Sequence, residues 1–132
     1  MLEFRKLTTY KEGLIFSLLS RSYETLLREK PILTEIWKQD WEKYDKEIFQ
    51  FPKTIGISGF ITIFDENIIG FGSYDPRQRS ELGIVGHNCI LPEYRGKGFG
   101  KVQIIKISNI FKEMGVKKVI VTTGEHPFFI PA

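Results

Sequence analysis

An apolar run closing on Cys89-Ile90-Leu91 leads into Pro92-Glu93-Tyr94-Arg95-Gly96-Lys97-Gly98-Phe99-Gly100-Lys101, and a segment of helical periodicity leads out of it. The chain must therefore pass from strand to helix through three alternating glycines and three cations, Arg95, Lys97 and Lys101. Glycines leave backbone N–H groups uncovered, and a helix start aims its own unbonded N–H groups and positive dipole end at the same place. That combination is an anion cradle, suited above all to phosphate.

Composition limits what can surround the cradle. A length of 132 residues sets a single domain, 1–132, as the expectation, and 42% hydrophobic with 14% aromatic residues suffices for a packed core. The net charge of +3 suits an anionic ligand but falls short of a dense nucleic-acid stripe. Cys89 is the sole cysteine, which excludes a disulfide framework and a cysteine-based metal cluster. No signal-like start and no membrane-length apolar run is present, so a cytoplasmic protein without membrane contact is expected.

Hydrophobic spacing predicts the elements. Leu2 to Lys6 alternates as a strand, and Thr8 or Thr9 with Glu12 offers a capping box for a helix. That helix carries Leu14, Ile15, Leu18, Leu19, Tyr23, Leu26 and Leu27 until Lys30-Pro31. A second helix is predicted from Ile36, Trp37, Trp41, Tyr44 and Ile48, closed by Pro52. Residues 60–64 and 68–74 then form a hairpin about Asp65-Glu66-Asn67, followed by a charged loop at 75–80. A third strand covers 81–91, its Gly83 and Gly86 signalling a bulge or a close backbone approach. After the glycine turn, Ile104, Ile107, Phe111 and Met114 share a helical face ending at Gly115, and 116–123 reads as a last strand. Neither repeats nor linkers interrupt this order.

Three known patterns come close to the turn. A nucleotide P-loop needs one more residue between its glycines and a Ser or Thr after the lysine, where Val102 stands. A dinucleotide fold needs Gly-x-Gly-x-x-Gly, and this chain has Gly-x-Gly-x-Gly. Lys97 to Val102 is similar to the first positions of the RNA-recognition RNP1 signature. That signature lies on a strand and continues with stacking aromatics, whereas Lys101 and Ile104 take those places and the periodicity is helical. RNA binding is accordingly a distant alternative.

Arg95-Gly96-Lys97-Gly98-Phe99-Gly100 matches Gln/Arg-x-x-Gly-x-Gly/Ala, and the whole chain resembles the GNAT superfamily of acyl-CoA-dependent N-acetyltransferases. Ile90, Pro92, Glu93 and Tyr94 resemble that family's strand exit, and the order of elements resembles its first two thirds. The resemblance implies an α/β fold: a mixed, mostly antiparallel central sheet with helices on both faces. It implies direct transfer of an acetyl group from acetyl-CoA to an amine acceptor, a small molecule or peptide, in a ternary complex. A non-catalytic acyl-CoA-binding or assembly module is the alternative.

Carried over residue by residue, the resemblance puts the coenzyme A pyrophosphate at Gly96, Lys97, Gly98, Phe99, Gly100 and Lys101, with charge available from Arg95, Lys97 and Lys101. It puts the pantetheine arm along Asn88, Cys89 and Ile90, with an N–H near Ile90 facing the thioester carbonyl. A lone cysteine in an apolar strand is ordinarily a small buried hydrophobe, so Cys89 is expected to line rather than react. Candidate bases are His87, whose side-chain type titrates near neutrality, and Glu81, with Glu125 and His126 after the last strand. Two distant histidines and a single cysteine give no expectation of a metal site. Trp37, Trp41, Tyr44, Phe49 and Phe51 either line an acceptor pocket or fill the core. Family members continue into a further helix, which usually bears a thiolate-protonating tyrosine, and a terminal hairpin. Here no tyrosine follows Tyr94 and the usual C-terminal helix and hairpin are lacking, so self-association over the uncovered sheet is expected.

Overall fold

In the computed structural model, which describes residues 1–77 and 81–121, the first departure from the expected elements comes at once. Leu7–Thr9 forms a 3-10 turn rather than a helix cap, and α1 (Leu14–Ser22) starts behind Gly13 at φ 106°. The capping box loses to a stronger partner. Asp45, from a helix 32 positions away and only 2% exposed, accepts hydrogen bonds from Gly13 N and Phe16 N at 2.7 Å each. One carboxylate thus serves two leading amides and meets the positive end of the helix dipole, more than Thr9 and Glu12 could do locally.

The single helix expected through Leu27 breaks at Tyr23 (φ −112°, ψ 22°) into α1 and α2 (Glu24–Glu29). The apolar stripe is continuous across the break, so spacing alone could not reveal it. Tyr23 itself is fully buried, tilted against Trp41 with ring centroids 5.9 Å apart. Pro31 opens α3 (Pro31–Gln50) at the first helical position, where its missing N–H costs nothing. Only Trp41, Asp45 and Ile48 of α3 are buried; Ile36, expected on the core stripe, is 55% exposed.

The sheet runs β1 (Leu2–Lys6), β2 (Gly59–Phe64), β3 (Asn67–Asp75), β4 (Gly83–Ile90), β5 (Val119–Val121) in spatial as in chain order. The first three pairings are antiparallel and β4–β5 is parallel. Asp65 and Glu66, both at positive φ, close the β2–β3 hairpin in the hand that matches strand twist. On one face α1, α2 and α3 pack over Ile61, Ile63, Phe71, Cys89 and Leu91. On the other, α4 (Phe99–Glu113) lays Ile107 and Phe111 over Phe60 and Val85.

Both glycines flagged in β4 have the expected kind of reason. A β-carbon on Gly83 would meet the Phe111 ring at 2.7 Å. Gly86 lies in a bulge: Gly72 pairs with Asn88 and Tyr74 with Val85, so Ser73 alone opposes Gly86 and His87. The Ser73 hydroxyl donates to the His87 carbonyl at 2.7 Å, and a β-carbon on Gly86 would stand 2.7 Å from that hydroxyl. The extra residue reverses the strand's alternation. Val85 packs with Phe111 on the α4 face, while His87 and Cys89 point to the α1–α3 face. Glu125, His126 and the expected extension of β5 to residue 123 lie outside the described residues, as does the rest of the chain's end.

Candidate active site

Leu91 N donates to Ile69 O at 2.7 Å, fixing which backbone groups of β4 face β3. Alternation then turns the N–H and C=O groups of Asn88 and Ile90 to the opposite side. β5 pairs only with Gly83, Ile84 and Val85, so among the described residues no strand lies beside β4 from Gly86 onward. The Asn88 carbonyl is met there by the Tyr23 hydroxyl at 2.8 Å. The Asn88 side chain is buried on the α4 face, its amide donating to Gly86 O at 3.0 Å. Cys89 is fully buried, and burial pushes its thiol up to about 12, so it stays protonated at neutral pH.

A 3-10 turn at Pro92–Tyr94 carries the chain off β4 into the glycine turn. Gly96 (φ 76°) and Gly98 (φ 86°) are both left-handed, a conformation that costs other residues about 1–2 kcal/mol. Gly98 caps α4, and Val102 N is the first amide to bond back, to Gly98 O at 3.1 Å. The amides of Phe99, Gly100 and Lys101 are therefore the leading donors; no cap side chain covers them and no acidic residue stands in the first turn. Gly96, Lys97, Gly98 and Lys101 are exposed, while Phe99 stacks obliquely on Phe64 at 4.9 Å. Lys97 lies over the Tyr94 ring at 5.8 Å. This donor set, unfilled by any side chain and backed by lysines, fits a pyrophosphate.

Arg95 reaches back to the first helix. Its guanidinium donates to the Ser22 carbonyl at the last residue of α1, tying the glycine turn to the α1–α2 break. The cation meets the negative end of the α1 dipole.

Of the two proton acceptors singled out within the described residues, only His87 reaches this region. It sits against Tyr44 of α3 with ring centroids 5.0 Å apart. Burial lowers its pKa below the ordinary 6.5, against a smaller upward pull from Asp40. Burial raises the Tyr44 hydroxyl well above its ordinary range, so it is a phenol at any physiological pH. Glu81 is exposed and precedes β4, at the end opposite the turn. His87 lies six positions further along a largely extended chain, about 20 Å at 3.3 Å per residue, so the two are not brought together. Among the described residues no cluster of three or more metal-ligating side chains occurs. Trp41 belongs to the core, Trp37, Tyr44 and Phe49 pack on its margin, and Phe51 is exposed.

Tyr23, Ser73 and Gln103 belong to this region and escaped the sequence reading. Gln103 alone had a visible signal, a polar residue on the stripe of Ile107 and Phe111.

Among the described residues, β4 runs on beyond its pairing with β5, and the glycine turn at its end opens α4. The chain belongs to the acetyltransferase (GNAT) family, whose model matches residues 16–129. Its fold is similar to that of a GNAT family acetyltransferase from Brucella melitensis in complex with acetyl-CoA (TM-score 0.67, 14% identity, 98% of this chain and 81% of that one). A ribosomal-protein-alanine N-acetyltransferase from Brucella melitensis biovar Abortus is similar at TM-score 0.62 and 18% identity, over 96% and 82% of the two chains. N-acetylglutamate synthase from Neisseria gonorrhoeae, complexed with coenzyme A and N-acetyl-glutamate, is similar at TM-score 0.64 and 15% identity. That match covers 98% of this chain and only 27% of the synthase. No curated protein matches the sequence.

Proposed function

We propose that this protein transfers an acetyl group from acetyl-CoA directly to an amine acceptor, a small molecule or a peptide. The observation that carries the reading is the turn itself: left-handed Gly96 and Gly98 delivering uncapped amides at the start of α4, beside the side of β4 that no described strand covers from Gly86 onward. In this reading the amides from Gly96 to Lys101 hold the pyrophosphate, Lys97 and Lys101 add charge, and Arg95 braces the turn against α1. The pantetheine arm lies along Asn88, Cys89 and Ile90. One lone pair of the Asn88 carbonyl already serves Tyr23, which leaves the second for the arm. The Ile90 N–H supports the thioester oxygen as it gains charge.

The amine nitrogen attacks the thioester carbon, the C–N bond forms, the C–S bond breaks and coenzyme A leaves as thiolate. A lysine-like amine of pKa about 10.4 costs roughly 4.6 kcal/mol to deprotonate at pH 7, at 1.36 kcal/mol per unit. A neutral imidazole nearby, alone or through water, reduces that cost, and His87 is the residue proposed for it. Its depressed pKa keeps it unprotonated at pH 7.

Titration calorimetry with acetyl-CoA, followed by a coenzyme A release assay across amine acceptors, tests this reading. Saturable binding and turnover are expected. A folded protein that binds no acetyl-CoA overturns it, and binding without turnover on any amine favours the non-catalytic module. The pH profile tests His87 separately. A base whose pKa burial has lowered keeps kcat/KM level to below the ordinary imidazole value of 6.5 and loses it at lower pH, as the imidazole charges. His87→Gln is expected to cut kcat about a hundredfold and remove that acid limb. An unchanged limb excludes His87 as the base.

A further inference from the structure

The apolar contacts that hold α4 on the sheet, through Ile104, Ile107 and Phe111, are non-directional. One polar side chain in that interface adds direction. Gln103, five residues beyond the Gly98 cap, is fully buried, as is Thr62 on β2. The Thr62 hydroxyl donates to Gln103 Oε1 at 2.7 Å. Gln103 Nε2 donates to Phe71 O on β3 at 3.0 Å and reaches Cys89 O on β4 at 3.5 Å. Phe71 and Cys89 are register partners, so a single amide bridges the β3–β4 seam and reaches β2 as well. The two carbonyls fix its orientation, because a flipped amide would set oxygen against oxygen.

Such a group is a poor way to gain stability. A buried hydrogen bond contributes little net, and apolar residues of the same shape serve about as well. What it supplies is position. A slide of one residue moves α4 by about 1.5 Å and turns it by about 100°, which would break all three contacts at once. The same slide would move the amides of Phe99, Gly100 and Lys101 relative to Ile90, the residue next to Cys89.

We infer that Gln103 and Thr62 form a polar pin that sets the register of α4 on the sheet and thereby aligns the pyrophosphate cradle with the pantetheine strand. They are positioning residues, and the inference rests on the acyl-CoA reading above. Misplacement by an ångström is enough to cost binding and rate together.

The test replaces both partners by apolar shapes, Thr62→Val with Gln103→Met, and compares them with Thr62→Ser, which keeps the hydroxyl. The double variant is expected to melt within about 5 °C of wild type. Its Kd and KM for acetyl-CoA should rise about tenfold, with the KM for the amine unchanged. Thr62→Ser should retain wild-type affinity, and Ile107→Val, a core truncation further along α4, should lower the melting temperature without touching acetyl-CoA affinity. A folded double variant with wild-type affinity overturns the pin. If the double variant does not fold, Thr62→Val against Thr62→Ser decides, and equal acetyl-CoA affinities overturn it. If wild type binds no acetyl-CoA, the acyl-CoA reading falls and the pin is judged by hydrogen exchange. Amides 102–106 should then lose about tenfold protection in Thr62→Val relative to Thr62→Ser, and equal protection overturns the pin.

Discussion

Replacing Gly98 with glutamate is expected to weaken acetyl-CoA binding about a hundredfold or more while the fold persists. Two effects contribute, and they can be separated. Gly98 sits at φ 86°, where a β-carbon strains the backbone by about 1–2 kcal/mol, yet that β-carbon would meet nothing within 4 Å. The strain therefore lowers the melting temperature by a few degrees without forcing the core apart. The larger effect is charge. A carboxylate a few ångströms from a bound pyrophosphate repels it by about 4 kcal/mol at an effective dielectric constant of 20, a nominal factor of nearly a thousand that salt reduces. Gly98→Asn is the companion variant, since asparagine tolerates the left-handed region and carries no charge. It should lose far less affinity. Calorimetry on the two variants decides: equal affinities would mean that no anion sits over this cap.

The second large effect concerns stability. Asp45→Ala removes a buried carboxylate that accepts from Gly13 N and Phe16 N at 2.7 Å and leaves both amides facing the α1–α3 interface. Hydrogen bonds to a charged group contribute about 1.5–3 kcal/mol each, and partial access of water to the helix end offsets some of that. A net loss of about 2–4 kcal/mol is expected, or roughly 10 °C in melting temperature for a chain of this size. Asp45→Asn keeps one acceptor and turns an N–H toward the other amide, so it should lose more than half as much. Urea unfolding should show a lower midpoint at unchanged slope. A midpoint equal to wild type would mean the cap contributes nothing.

These two sites also mark how far the sequence could be read. The glycine turn was legible because its information is local: alternating glycines between a strand and a helix constrain the backbone wherever they occur. The β2–β3 hairpin was legible for the same reason, through alternation on both sides of Asp65-Glu66. The cap on α1 was not, because its partner lies 32 positions away and the local Thr9–Glu12 alternative looked complete. The break at Tyr23 was hidden inside an unbroken apolar stripe. Ile36 misled in the opposite sense, since nothing from Pro31 to Asp40 of α3 is buried, and spacing says which residues share a face but not how far along the helix that face is covered. At the site, Glu81 and His87 looked equivalent on paper. The length of strand between them, not their chemistry, sets them apart. Gly86 announced irregularity in β4, but only the pairing of Tyr74 with Val85 shows where the strand changes sides.

That change of sides divides the labour of one strand between two clients. Up to Val85 the odd-numbered side chains of β4 answer to the hydrophobic demands of α4; from His87 they answer to the α1–α3 face. The residue beside Tyr44 can therefore vary without renegotiating the packing of Val85 beneath α4. One surplus residue keeps the two packing demands out of each other's way.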